Sequence, residues 1–219
     1  MEDRILLIDK PAGISSFGVV AKIRGKMRAE FGHKIKVGHT GTLDPFATGL
    51  LIILTGKMTK KSNDFLKLDK VYEATMRLGY ISTTGDPEGE ITKNGDFVPD
   101  FEMVQAETQK FVGKITQIPP KFSAIKIDGK RAYKLAREGK DFEIPAREVT
   151  IYSLEILDYT YPNLTIRCHV SSGTYIRTLA EDFGRALGTG AYLTALRRIE
   201  IGKYSIKNAL KLFDEKASD

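Results

Sequence analysis

Residues 38–49 read Gly38-His39-Thr40-Gly41-Thr42-Leu43-Asp44-Pro45-Phe46-Ala47-Thr48-Gly49. The stretch packs one acid, one imidazole and three hydroxyls between three glycines. Glycine lets a backbone turn tightly or approach a ligand, and a proline pushes the residue before it toward an extended conformation. Asp44 therefore projects from its chain at a fixed angle, as a reactive carboxylate on a scaffolded loop would. An Asp-Pro pair by itself is more often a turn in which the carboxylate caps its own backbone. A reactive role for Asp44 thus needs support from the rest of the chain.

Composition sets the outer limits. A chain of 219 residues is long enough for one ordinary domain, burying about 70% of its unfolded surface. Its 42% hydrophobic and 28% charged residues suit a soluble globular protein, and no stretch approaches the roughly 20 apolar residues of a membrane span. The longest apolar run, Leu50 to Leu54, reads as a buried strand. No basic segment followed by an apolar one opens the chain, so the expected location is the cytoplasm, with no membrane partner. A single cysteine, Cys168, excludes an intrachain disulfide and a multi-cysteine zinc site, and His33, His39 and His169 lack ligand spacing. No metal is expected. The net charge of +6 favours a polyanionic partner. Lys22, Arg24, Lys26, Arg28, Lys34 and Lys36 precede the Asp44 loop, and a second basic run extends from Lys121 to Lys140. Together they suit a phosphate backbone tracked on both sides of a site.

Short apolar strands alternate with a few amphipathic helices, without repeats or low-complexity linkers, which predicts a mixed α+β domain. Ile5 to Ile8 is a strand, and Ser15 or Ser16 caps a helix carrying Val20, Ile23 and Met27 on one face. Lys70 to Leu78 alternates strictly, placing Tyr72, Ala74, Met76 and Leu78 together. Asp100 caps a helix to about Phe111, and Lys114 to Ile118 is a strand ended by Pro119-Pro120. A short helix is expected near Ala132 to Glu138, within a basic segment from Lys121 to Arg147 that reads as an insertion. Two strands follow, Val149 to Tyr159 and Leu164 to Val170, the second with Leu164, Ile166, Cys168 and Val170 on its apolar face. Ser171-Ser172-Gly173-Thr174 then turns into a helix with Ile176, Leu179, Phe183 and Leu187 at helical spacing, ended by Gly188.

Five further motifs flank this framework: Asp9-Lys10-Pro11-Ala12-Gly13-Ile14-Ser15-Ser16, Lys70-Val71-Tyr72, Thr83-Thr84-Gly85-Asp86-Pro87-Glu88-Gly89, Ser172-Gly173-Thr174-Tyr175-Ile176-Arg177, and Gly188 through Arg198 with its closing Leu196-Arg197-Arg198. With the Asp44 loop, they resemble, in order and along nearly the whole chain, the TruB family of tRNA pseudouridine synthases. The resemblance implies a central mixed, mainly antiparallel sheet flanked by helices, with residues 121–147 as a thumb-like insertion. It makes Asp44 the catalytic aspartate and His39 a substrate-side residue. It makes Tyr72 the tyrosine that stacks on the target uracil and a candidate base in the later proton transfer. By the same resemblance Arg177 pairs with Asp44, Tyr175 lines the uracil pocket, Leu196 contacts the base, and Arg197 or Arg198 reaches phosphate. Asp86 is either a turn cap or an orienting residue, and the Lys10 motif is structural.

The implied reaction isomerises the uridine at position 55 in the T-loop of tRNA, on a nucleotide flipped out of its stack. Nothing enters the product from outside, so no cofactor is expected. Asp44 serves either as a covalent nucleophile or as the base that gives a glycal intermediate. An arginine nearby would keep its carboxylate ionised. The expected partner is the tRNA T-stem-loop, with a monomer and no obligatory protein partner. About twenty residues follow Arg198, fewer than the family's C-terminal RNA-binding domain needs, so residues 1–219 are expected to form one catalytic domain without a PUA-type domain. An RNA-binding chaperone on the same fold is the alternative reading. A glycoside or nucleoside hydrolase would require a second acid, and no second carboxylate motif stands out.

Overall fold

The computed structural model describes residues 2–127 and 129–212. In chain order its elements are β1 (Ile5–Lys10), α1 (Ser16–Phe31), β2 (Val37–His39), β3 (Thr48–Thr55), α2 (Ser62–Leu66), β4 (Lys70–Leu78), β5 (Tyr80–Ser82), β6 (Ile91–Lys93), α3 (Phe101–Lys110), β7 (Gly113–Gln117), β8 (Lys126–Ile127), β9 (Lys130–Arg131), α4 (Ala132–Arg137), β10 (Arg147–Thr160), β11 (Asn163–Val170), α5 (Ile176–Ala186), β12 (Ala191–Ile201), β13 (Tyr204–Ser205) and β14 (Leu210–Lys211). The chain divides into two compact units, one running to Tyr72 and resuming at Leu196, the other comprising Glu73–Ala195. It passes from the first to the second within β4 and returns within β12.

The strand order in the first unit is β14-β1-β3-β12, with β2 also paired to β3 and β13 to β12. β1 and β2 run antiparallel to β3, whereas β12 and β3 are parallel, with Arg197 opposite Thr48 and Arg198 opposite Gly49. The unbroken run Leu50 to Leu54 is explained by two apolar faces. Leu51 and Ile53 pack with Val19, Val20, Ile23 and Met27 of α1, while Leu50, Ile52 and Leu54 pack with Phe65 and Ile201. A strand covered on both sides has no solvated face to encode, so alternation disappears. Helix α1 begins where Ser15 accepts a bond from the Gly18 amide at 3.0 Å and ends at Gly32, whose φ of 75° only glycine adopts cheaply.

The second unit has the strand order β12-β4-β11-β10-β7, with separate two-stranded pairs β5–β6 and β8–β9. β10 is antiparallel to both β11 and β7, so the mixed, mainly antiparallel sheet expected from the sequence is present. Ala74, Met76 and Leu78 of β4 and Leu164, Ile166, Cys168 and Val170 of β11 are all buried, as their alternation predicts. Ile176, Leu179, Ala180 and Phe183 give α5 its buried face, and the Phe183 ring lies 5.5 Å from Phe111. Asp100 caps α3 by accepting from the Met103 amide at 2.8 Å. Among the described residues no helix is long and apolar enough to cross a membrane.

Candidate active site

The Asp44 loop leaves β2 and re-enters the sheet as β3, and both neighbours of Asp44 are fastened. Ser16, buried in the first turn of α1, donates from its hydroxyl to the Leu43 carbonyl at 2.9 Å and accepts from the Leu43 amide at 2.8 Å. On the other side, Pro45 offers its carbonyl to the Gly13 amide at 2.9 Å and to the Lys10 ammonium at 3.2 Å. Lys10 is fully buried and also donates to the carbonyls of Pro11 and Ile14, at 2.9 and 2.7 Å. Carbonyl oxygens satisfy a buried ammonium that would otherwise be costly. The Lys10 to Ser16 motif is therefore structural, and its particular work is to clamp the residues on either side of a half-buried Asp44.

Arg198 supports the same loop from below. Its side chain is 1% exposed, with Nε donating to the Leu50 carbonyl at 2.8 Å and Nη2 to the Gly41 carbonyl at 3.0 Å. Nη1 makes a long contact of 3.5 Å with the Tyr72 hydroxyl. Gly49 sits against this strand so closely that a Cβ would come within 2.3 Å of the Arg198 carbonyl oxygen, and its φ is 103°. The last glycine of the loop motif is there for that approach. The expectation that Arg197 or Arg198 reaches phosphate is corrected for Arg198, whose guanidinium is committed inside the fold. Arg197 points the other way and pairs with Asp9 at 2.8 Å, with two fifths of its side chain exposed.

Beneath Tyr72, Lys70 donates to the Leu66 carbonyl at 2.7 Å and to the Leu68 carbonyl. Burial, helped by the nearby Arg198 charge and opposed by Asp69, lowers its pKa to about 8. Tyr72 itself is buried at 8% exposure, and Leu196 is equally buried, its carbonyl 3.5 Å from the Thr48 hydroxyl. His39 is half-buried at the end of β2, opposite Ile53. His39, Asp44, Tyr72 and Leu196 thus all belong to the first unit.

Tyr175 and Arg177 belong to the second. The Tyr175 backbone is held in both directions by the buried Gln117 side chain, amide to Oε1 at 3.1 Å and carbonyl to Nε2 at 3.3 Å. The Arg147 guanidinium lies 4.7 Å from the Tyr175 ring centre. Arg177, 4% exposed, donates to the carbonyls of Thr84 and Phe122 at 3.0 and 2.7 Å and lies 3.3 Å from an Asp86 oxygen. Asp86 is also buried, and its other oxygen accepts from the Thr84 hydroxyl at 2.6 Å and the Glu88 amide at 3.0 Å. Asp86 is therefore both a turn cap and a positioning partner of Arg177. Glu181, beside this pair, has its pKa raised by burial, against the opposing pull of Arg177.

A fastened, half-buried aspartate on a loop above a buried arginine, with a tyrosine packed beside that arginine, defines a candidate site for carboxylate chemistry. Comparison with known proteins gives the class. The family model described as "TruB family pseudouridylate synthase (N terminal domain)" matches residues 28–176, and "tRNA pseudouridylate synthase B C-terminal domain" matches residues 177–216. A tRNA pseudouridine synthase B of Burkholderia mallei (strain NCTC 10247) is 47% identical over 210 residues, 96% of this chain and 68% of the relative. One of Cupriavidus pinatubonensis is also 47% identical, over 95% of this chain and 65% of its own. Among solved structures, a chain of a Cbf5-Nop10-Gar1 complex superposes with a TM-score of 0.70 at 30% identity. A chain of an H/ACA RNP bound to a substrate RNA containing 2'-deoxyuridine superposes with a TM-score of 0.69 at 28% identity. The chain spans about two thirds of the length of these curated relatives and about half that of the superposed chains. The fold is that of a pseudouridine synthase. The chain belongs to the TruB family of pseudouridylate synthases.

Proposed function

We propose that this enzyme acts on transfer RNA and isomerises the uridine at position 55 of the T-loop, with Asp44 as its catalytic residue. The observation that carries the reading is the clamp on both neighbours of Asp44, Ser16 on Leu43 and Lys10 with Gly13 on Pro45, which fixes the backbone that carries the carboxylate on an otherwise glycine-rich loop. The curated relatives bear the name tRNA pseudouridine synthase B. In the reaction the bond from ribose C1' to N1 breaks and one from C1' to C5 forms. C5 loses its proton, N1 gains one, and no redox equivalent is consumed. Asp44 either attacks the sugar or removes a ribose proton to give a glycal. Arg177 is the cation that pairs with it, keeping it ionised. Tyr72 stacks on the flipped uracil and is the candidate base for the C5 proton. Tyr175 and Leu196 line the base, and His39 holds the loop from which it was extruded. The T-stem-loop is the expected partner, bound by the enzyme as a monomer, with residues 121–147 as the thumb-like insertion.

The test follows tritium. A tRNA transcript with 5-tritiated uridine should release label to water in one equivalent per tRNA, and replacing the uridine at position 55 by cytidine should stop the release. Continued release from the cytidine transcript would place the modified uridine elsewhere.

A further inference from the structure

Phe17 is 64% exposed, immediately after the serine that clamps Leu43. About two helical turns further along α1, Arg24 reaches back with its guanidinium carbon 5.8 Å from the Phe17 ring centre and Nη2 3.4 Å from the Val37 carbonyl. The pair is thus tied at both ends to the chain that presents Asp44: through Ser16 to Leu43 on one side, and through Arg24 to the start of β2 on the other. Phe17, Ala21, Arg24 and Arg28 fall on one exposed stripe of α1 at helical spacing, and Lys22 and Lys26 are exposed on the adjoining face. An aromatic ring held in water costs apolar exposure without serving the core. Its cationic surroundings disfavour an apolar protein surface and complement a polyanion. Single-stranded nucleic acid combines the two requirements, a flat base for the ring and phosphates for the cations.

We propose that Phe17 and Arg24 form a stacking platform for one unpaired base of the substrate RNA, distinct from the base that is isomerised, with its flanking phosphates near Arg28 and the neighbouring lysines. The platform holds the loop next to Asp44 by stacking rather than by base-edge hydrogen bonds, so it tolerates more than one base. The proposal rests on the RNA-loop reading of the Asp44 site.

The chain contains no tryptophan, so Phe17→Trp introduces a unique fluorophore at the platform. Titrating the Phe17→Trp protein with a T-stem-loop RNA should quench its indole emission at the same concentration that saturates wild-type binding. Phe17→Ala should weaken binding roughly five- to tenfold, at the low end of what one base–aromatic stack contributes. At saturating enzyme, it should leave the single-turnover rate within about twofold of wild type, because the exposed ring makes no contact needed for folding or chemistry. The same two measurements on a single-stranded oligouridylate judge the platform separately from the T-loop assignment. Loss of tritium release by the wild type on the T-stem-loop would sink the substrate reading. Unchanged emission and unchanged Phe17→Ala affinity on both RNAs would overturn the platform and leave that reading intact.

Discussion

Arg198 in the first unit and Arg177 in the second are both buried guanidinium groups, yet they are satisfied differently. The hydrogen bonds of Arg198 go to the Leu50 and Gly41 carbonyls, with the Tyr72 hydroxyl at the limit of contact. Arg177 also meets two carbonyls but adds a carboxylate, Asp86, itself buried. The neighbours follow suit. Lys70, near Arg198, is pushed toward its neutral form, and Glu181, near Asp86, is pushed toward its neutral form as well. The first unit thus buries cations among backbone dipoles beneath a loop, and the second buries an ion pair at the start of a helix. Dipoles fix a backbone, which is what the Asp44 loop needs. An ion pair fixes one side chain in one pose, which is what a positioned arginine needs.

The sharpest way to break this contrast is to remove one charge from the pair. Arg177→Met should destabilise the protein by about 3–5 kcal/mol, because Asp86 would be left buried without its cation. Adding Asp86→Asn should return a substantial part of that loss, and urea unfolding of the two single variants and the double variant measures the coupling. In the first unit, Arg198→Met removes the donor to the Leu50 and Gly41 carbonyls, at about 1–3 kcal/mol for each acceptor left unsatisfied. No single acidic substitution should rescue it, since no carboxylate partner has been orphaned.

The smallest effects have opposite signs with pH. In the unfolded chain Lys70 holds its proton up to about pH 10.5, whereas in the fold it does so only to about 8. Between these values the unfolded state binds more protons, so stability rises with pH there, relative to Lys70→Met. Glu181 is the reverse case. Its raised pKa means that the folded state binds more protons just above pH 4.5, and stability falls as pH rises through that window. Glu181→Gln should therefore stabilise the protein at pH 7.5, with the gain fading by pH 4 in urea melts. A gain that persisted unchanged at pH 4 would remove burial of the charge as its cause.

Much of this arrangement was legible because it is local. The Ser15 cap, the run from Leu50 to Leu54, the alternation of β4 and β11, and the apolar face of α5 are each written within one element, and each is present as read. The partners of buried charges are written nowhere locally. Asp86 and Arg177 are far apart in the sequence, and so are Lys10 and Pro45, so neither pairing leaves a spacing to detect. Arg198 is the exception, since a signal was available. Period-two alternation from Leu196 puts Arg198 on the buried face of β12 and Arg197 on the other, which excludes Arg198 from a phosphate contact.

On the function proposed above, the clamped loop of the first unit presents the Asp44 carboxylate to an RNA uridine. Asp44→Asn keeps the shape and removes the charge, so single-turnover tritium release by saturating enzyme tests it without interference from affinity. Release should fall by at least about a thousandfold, with the T-stem-loop bound as tightly as by wild type, as expected when a covalent or proton-transfer group is removed. Release by the Asp44→Asn protein at a rate near that of wild type would contradict it.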